Sequence, residues 1–233
     1  MGINKKLSII VPVLNEESTI EEVIKRVERA PIFGYQKEII IINDGSTDNT
    51  KNILKNIKDK YSLKILEHQR SMGKGRAIRA GFEMATGSAL IIQDADLEYN
   101  PNDWSLLLKE LNGLKIGAVY GSRNINPEKK GYFHYVLGVK FLTFLNNLLF
   151  GSKLTDIYTC YKLFPTDLIK SIKLNSDGFE IEAEMTVKIL KKGLLIKEVP
   201  ISYSPRRFEQ GKKIRFKDGL IGLWTLVKYR LLL

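Results

Sequence analysis

The chain has 233 residues, 44% of them apolar, and a formal net charge of +11. That length and core content suit one large α/β domain and exclude a disordered chain. A lone cysteine, Cys160, excludes an intramolecular disulfide and predicts a structural thiol in a reducing compartment, while the charge, +8 from Lys191 onward (11 basic, 3 acidic) and +3 before it, predicts an anionic partner for the C-terminal third.

"MGINKKLSIIVP" enters a strand at once and has no signal-peptide apolar region; Gly2 does not open a myristoylation signal, because Lys6 stands where Ser or Thr is wanted. Leu7–Val11 reads as a buried strand broken by Pro12. Ile20, Val23, Ile24 and Val27 recur at helical spacing, with Asn15 as a candidate cap. "KEIIIINDGSTD" is a second buried strand ending near Asp44, and Asp48 is placed to cap the helix "NTKNILKNIKDKY". "LKILEH" is a third strand, "GKGRAIRAGFEMATG" a glycine-opened helix, "ALIIQDAD" a fourth strand, "DWSLLLKELN" a helix and "IGAVYGSR" a fifth strand. Strand–helix alternation with nearly continuous apolar strands predicts a mostly parallel sheet covered on both faces. Ligands of such sheets bind beyond the carboxyl ends of the strands. Asn15-Glu16, Asp44, Lys74, Asp94/Asp96 and Arg123 all fall there.

The second half is less regular. "YFHYVLGVKFLTFLNNLLFG" has the length of a membrane span, about 20 residues, but Lys140, Asn146 and Asn147 interrupt it. It predicts one or two amphipathic helices lying on a bilayer or on the protein body, with core packing or a dimer contact as the plain alternative. "GLIGLWTLVKYRLLL" is similar, with Trp224, Lys228, Tyr229 and Arg230 as candidate interfacial anchors.

The chemistry concentrates in "IIQDADLEYNP". In an extended segment Asp94, Asp96 and Glu98 would share one face. Three crowded carboxylates call for an opposite charge, and a divalent cation, Mg²⁺ or Mn²⁺, answers to hard oxygen ligands. All three are therefore candidate metal ligands.

"VPVLNEE", "INDGSTDNT", "GKGRAIRAG", "DADLE", "YGSR" and "FEIEAEMTVKILKKGLLIKEVPISY" follow one another in that order. Together they resemble the family 2 glycosyltransferases of the GT-A fold, over roughly residues 7–220. The tail "YSPRRFEQGKKIRFKDGL" is similar to the subgroup that moves a sugar onto a dolichyl or polyprenyl phosphate. The resemblance implies one GT-A domain over 1–233: a nucleotide-sugar-binding half (1–125), an acceptor half (126–220) and an apolar membrane-interface tail (221–233). It implies that Pro12, Asn15, Glu16, Asp44 and Ala95 line the nucleoside pocket, with Asp44 reading the base. Lys74 and Arg76 would reach donor phosphate or base, and Asp94 and Asp96 would hold the metal; Glu98 stands where the family commonly has Gln, a departure that would add negative charge and a third ligand, directly or through water. Arg123 would sit at the donor–acceptor junction near Asp156. Arg206, Lys212 and Lys213 would take the acceptor phosphate, with Arg206 a better match than Arg207. Of Glu180 and Glu182, one would face the cleft. Ser71 stands where the family often has Asn, and Cys160 where it has Gly.

The only histidines, His68 and His134, lie in no catalytic motif. A hydroxyl acceptor needs a base; a phosphate monoester, with a second pKa of about 6, is already anionic. The missing base thus fits a lipid-phosphate acceptor, and the absent Gln-x-x-Arg-Trp motif argues against polymer elongation. One-step backside attack would invert the anomeric centre. The expectation is an inverting, metal-dependent hexose transfer from a GDP- or UDP-linked sugar to a polyprenyl phosphate. It would occur on the cytoplasmic face of a membrane, with peripheral contact and a membrane partner subunit as a candidate associate. Transfer to a glycan or soluble hydroxyl is the alternative; a sugar-nucleotide-binding module without turnover is another. A nucleic-acid binder would leave the acidic cluster unexplained, and no nucleic acid is expected as partner.

Overall fold

The computed structural model describes residues 5–32, 34–111, 113, 115–125, 133–206 and 216–232, with no side-chain description for 133–135 and 216. One seven-stranded sheet runs in the order β3 (Lys64–Glu67), β2 (Tyr35–Asn43), β1 (Lys5–Val13), β4 (Ala89–Ile92), β6 (Lys162–Pro165), β5 (Ile116–Ser122), β7 (Leu195–Pro200). Every neighbouring pair is parallel except the two made by β6, which runs against both β4 and β5. The sheet is therefore mostly parallel, as the alternation predicts. Its one reversed strand comes from the second half of the chain and separates two strands of the first.

Strand β1 does not break at Pro12 as the sequence suggested; it pairs in register with β2 through Val13. The reason is where the missing N–H would point. Ile10 turns its carbonyl toward the β4 side, accepting from Gln93 N–H at 2.9 Å, and Pro12 shares its parity. Strand β4 has already ended at Ile92, so no ladder bond is lost there.

Helix α1 (Ile20–Arg29) buries the expected stripe, Ile20, Val23, Ile24 and Val27, each worth about 2 kcal/mol relative to exposure. Helices α2 (Thr50–Ile57), α3 (Lys74–Met84) and α4 (Trp104–Glu110) follow the next strands. A Cβ on Gly81 would lie 2.3 Å from Ile10 Cγ2, so α3 rests directly on β1.

The second half supplies α5 (Phe133–Phe150), a short α6 (Thr166–Lys170), α7 (Ile181–Lys191) and α8 (Phe216–Leu231). Leu142, Leu154, Ile157, Ala183, Val187 and Leu226 form a small second core among α5, α7 and α8. Two of the polar interruptions of the apolar stretch, Asn146 and Asn147, bond to the protein body, while Lys140 is exposed. Asn147 accepts from Leu154 N–H (3.0 Å) and Ser152 Oγ (2.6 Å), and Asn146 Nδ2 donates to Ser152 Oγ (3.0 Å). Among the described residues no helix is long and apolar enough to cross a membrane. Yet α5 leaves Leu137, Phe141, Phe144 and Leu148 exposed, and α8 leaves Leu220, Ile221, Trp224 and Leu231 exposed.

Candidate active site

The carboxyl ends of β1, β2, β4 and β5 and the chain after β7 meet on one rim. There Asp94 and Asp96 stand beside two cations. Lys74 Nζ lies 2.9 Å from Asp94 Oδ1 and 3.2 Å from Glu182 Oε1. Arg206 Nη2 lies 2.9 Å from Asp96 Oδ2 and 2.9 Å from Glu16 Oε1, while Nη1 donates to Glu16 Oε2 at 3.1 Å.

Backbone geometry aims Lys74. Gly73 has φ +99°, a left-handed value that favours glycine. A Cβ on Gly75 would fall 2.5 Å from Ser176 O, and Gly75 N–H donates to Asp177 O at 2.7 Å. The first turn of α3 is thus pressed against residues 176–178, with Lys74 turned inward. Burial opposes the Lys74 charge, but Asp94 and Glu182 outweigh it and hold its pKa above the ordinary lysine value. Burial likewise acts to raise Asp94; Lys74, the Cys160 thiol and Arg206 overcome it and leave the carboxyl below its usual range.

Behind Lys74 the alternation of charge continues inward. Glu182 Oε2 accepts from Lys162 Nζ at 2.5 Å, and Lys162, on the reversed strand β6, is fully buried. Glu182 is therefore the member of its pair that joins the site; Glu180 accepts from Gly178 N–H instead (3.0 Å). No local pattern marks Lys162, because a lysine in a short strand reads as an exposed position.

The three-carboxylate face does not form. Strand β4 ends at Ile92, and Leu97 has φ +60°, so residues 93–98 turn and the period of two is lost. Glu98 points elsewhere: its Oε2 accepts from the Tyr203 hydroxyl (2.8 Å) and its Oε1 from Arg206 N–H (2.8 Å). Glu98 staples the chain after β7, with both its carboxylate oxygens engaged there. Among the described residues, no group of three or more acidic, His or Cys side chains is arranged to hold a metal ion. Asp94 and Asp96 remain. They are 21% and 19% exposed, and their charge is balanced by the side-chain cations Lys74 and Arg206, with one backbone donor, Glu98 N–H, on Asp96 Oδ1 (3.2 Å), so an incoming divalent ion can reach them. Two carboxylates plus substrate phosphates are the usual donor set for Mg²⁺ or Mn²⁺, and this pair fits that set.

The other predicted residues divide. Pro12 lies one residue before the end of β1 at the rim, and Ala95 is buried with its carbonyl 2.7 Å from the Thr19 hydroxyl. Asn15, at φ +50°, does not cap α1; its Oδ1 accepts from Thr47 N–H (2.8 Å), tying the β1 loop to the β2 loop. Asp48 precedes the cap residue of α2, Asn49, and its carboxylate accepts from Thr50 N–H (3.0 Å) and from Glu17 N–H (3.1 Å). Asp44 is 3% exposed. It binds Ser71 Oγ (2.8 Å), Met72 N–H (3.0 Å) and Gly73 N–H (2.9 Å), and His68 Nδ1 lies 2.7 Å away. Arg76 is exposed on α3. Arg123 forms a two-pronged pair with buried Asp156, Nε–Oδ2 2.7 Å and Nη2–Oδ1 2.8 Å, and lies over the Tyr203 ring at 5.1 Å. Tyr203, which carries no motif of its own, thereby joins Arg123 to Glu98. Lys212 and Lys213, with Arg207, lie outside the described residues. Cys160 is buried, and burial pushes its thiol pKa up, as suits a structural thiol.

The sequence model of glycosyl transferase family 2 matches residues 8–173. The chain belongs to that family. A dodecaprenyl-phosphate galacturonate synthase of Rhizobium johnstonii is 31% identical over 172 residues, 72% of this chain and 50% of that protein. A dolichol-phosphate mannosyltransferase of Pyrococcus furiosus is 27% identical over 214 residues, 89% of this chain and 59% of the relative. The chain spans about half the length of the first of these. Among solved structures, glucosyl-3-phosphoglycerate synthase from Mycobacterium tuberculosis in complex with UDP superposes with a TM-score of 0.75 at 19% identity, over 97% of this chain and 80% of that one. A second complex of that synthase, with Mn²⁺, UDP and glucosyl-3-phosphoglycerate, gives 0.74 over the same shares. The fold is thus GT-A.

Proposed function

We propose that this chain transfers a hexose, with inversion, from a nucleotide sugar to a polyprenyl or dolichyl phosphate. The observation that supports it best is the pair Asp94/Asp96 at the sheet rim, partly exposed and balanced by Lys74 and Arg206. Pro12, Asn15, Glu16, Asp44 and Ala95 would enclose the nucleoside, and Lys74 would face the donor diphosphate, with Arg76 at the outer edge. Asp94 and Asp96 would hold Mg²⁺ or Mn²⁺, which when bound stabilises the charge of the departing nucleoside diphosphate. The synthase complex that contains both Mn²⁺ and UDP favours the same arrangement here.

Among the described residues no histidine stands ready as base for an acceptor hydroxyl. His68, the one histidine whose side chain is described, is committed to Asp44. An acceptor phosphate brings its own anionic oxygen, and Arg206, with Arg123 and the following Lys212 and Lys213, would orient it. The relatives named for dodecaprenyl- and dolichol-phosphate sugars support that acceptor class. A soluble hydroxyl-bearing acceptor is the second reading, favoured by the synthase complex with Mn²⁺, UDP and phosphoglyceric acid.

The exposed apolar residues of α5 and α8, with Lys228 and Arg230 in the last turn of α8, would rest on an anionic leaflet. The test uses short polyprenyl phosphate in anionic vesicles, labelled GDP- and UDP-hexoses and Mn²⁺. Label should enter the organic phase, and the chain should float with the vesicles. Label transferred only to glycan or soluble hydroxyls would refute the lipid reading; failure to float would refute the membrane contact.

A further inference from the structure

The two carboxylates of the β4 loop are balanced in different ways. Lys74 is fixed by its backbone, because Gly73 and Gly75 press the start of α3 against residues 176–178, and it has a second carboxylate, Glu182, behind it. Arg206 is fixed by its backbone too, but by a separate device: Glu98 holds Arg206 N–H at 2.8 Å and, through its carbonyl, Ser204 N–H at 2.9 Å. None of those bonds involves the guanidinium. The guanidinium itself spans Glu16 and Asp96, with Nη2 at 2.9 Å from each. It can therefore leave Asp96 by side-chain rotation alone, while Glu98 keeps the chain in place.

A divalent ion drawn to Asp96 and a guanidinium touching the same oxygen would repel each other at close range. Both cannot hold Asp96 at full strength. We propose that Arg206 is the resident counter-ion of Asp96, that it yields this carboxylate when the divalent ion and nucleotide bind, and that the freed guanidinium is then available to an acceptor phosphate. This deepens the preceding reading and rests on it. It makes donor binding the condition for a competent acceptor site. It also gives Glu98 a purpose that metal ligation would not: a fixed pivot for Arg206.

The experiment measures Mn²⁺ affinity, by the electron paramagnetic resonance signal of free Mn²⁺, with the full chain and saturating UDP or GDP. Arg206→Gln should tighten Mn²⁺ by about fivefold or more; unchanged or weaker binding overturns the proposal. Asp96→Asn in the same assay should abolish the site; if Mn²⁺ still binds, the metal reading itself fails, a result distinct from the failure of the Arg206 exchange. Should Arg206→Gln not fold, the wild-type chain supplies the test by reciprocity. Farnesyl phosphate should bind about fivefold tighter with Mn²⁺ and nucleotide than without, and an affinity indifferent to them overturns the proposal.

Discussion

Two strand ends on the same rim finish in aspartate, and their surroundings differ in kind. At the end of β2, Asp44 is nearly sealed and held by two backbone N–H groups, a hydroxyl and an imidazole. Past the end of β4, Asp94 and Asp96 are about one-fifth exposed and face a lysine and an arginine, with a single long backbone bond, Glu98 N–H to Asp96 at 3.2 Å, beside them. Backbone donors cannot leave without unmaking the loop, whereas a cationic side chain can rotate away. The first carboxylate builds the site, and the second pair is open to exchange with a ligand's charges.

The largest consequence concerns Asp96. Asp96→Asn should lower transfer by about 10³-fold or more while the melting temperature stays within a few degrees, since Arg206 keeps Glu16 as a partner. Full turnover at saturating Mn²⁺ would erase the distinction between the two strand ends.

Much of this rim is legible in the sequence, since an apolar run followed by a polar cluster marks a strand end whatever its neighbours. The α1 stripe is equally plain, because Ile20, Val23, Ile24 and Val27 repeat at the helical period. What stays hidden depends on contacts distant in sequence. Strand β6 has only four residues and contains Lys162, whose partner Glu182 lies 20 positions on. Glu98 is misplaced by a strand pattern because one residue, Leu97, takes a left-handed backbone and breaks the alternation that would have aligned it with Asp96. The role of Tyr203 arises from its bridge with Tyr99 across the sheet edge, which no local pattern encodes.

The next largest effect falls on Asp44. Asp44→Ala leaves the N–H groups of Met72 and Gly73 without their buried acceptor. The cost should be about 3 kcal/mol, or about 10 °C in melting temperature for a chain of this size. Thermal unfolding of the variant checks this, and wild-type stability would show that the loop stands without its aspartate.

A carboxylate on α7, two residues beyond Glu182, extends the comparison. Glu184 on α7 is fully buried and accepts from Asn175 N–H (2.9 Å), Ser176 N–H (2.8 Å), Lys188 Nζ (2.5 Å) and the Tyr229 hydroxyl (2.5 Å). Burial acts to raise its pKa, but Lys188, Tyr229 and Ser176 prevail and bring it from 4.5 to about 2. A carboxyl whose folded pKa is depressed contributes stability that is fully present above its unfolded value and lost as pH falls through the folded one. Glu184→Gln should therefore cost about 2 kcal/mol at neutral pH. The gap from wild type should hold down to about pH 4.5 and close progressively toward pH 2. Denaturant melts of both proteins across that window provide the check. A gap independent of pH would mean that Glu184 acts through shape alone, and that anchoring by backbone donors is not what separates the structural carboxylates from the exchangeable pair.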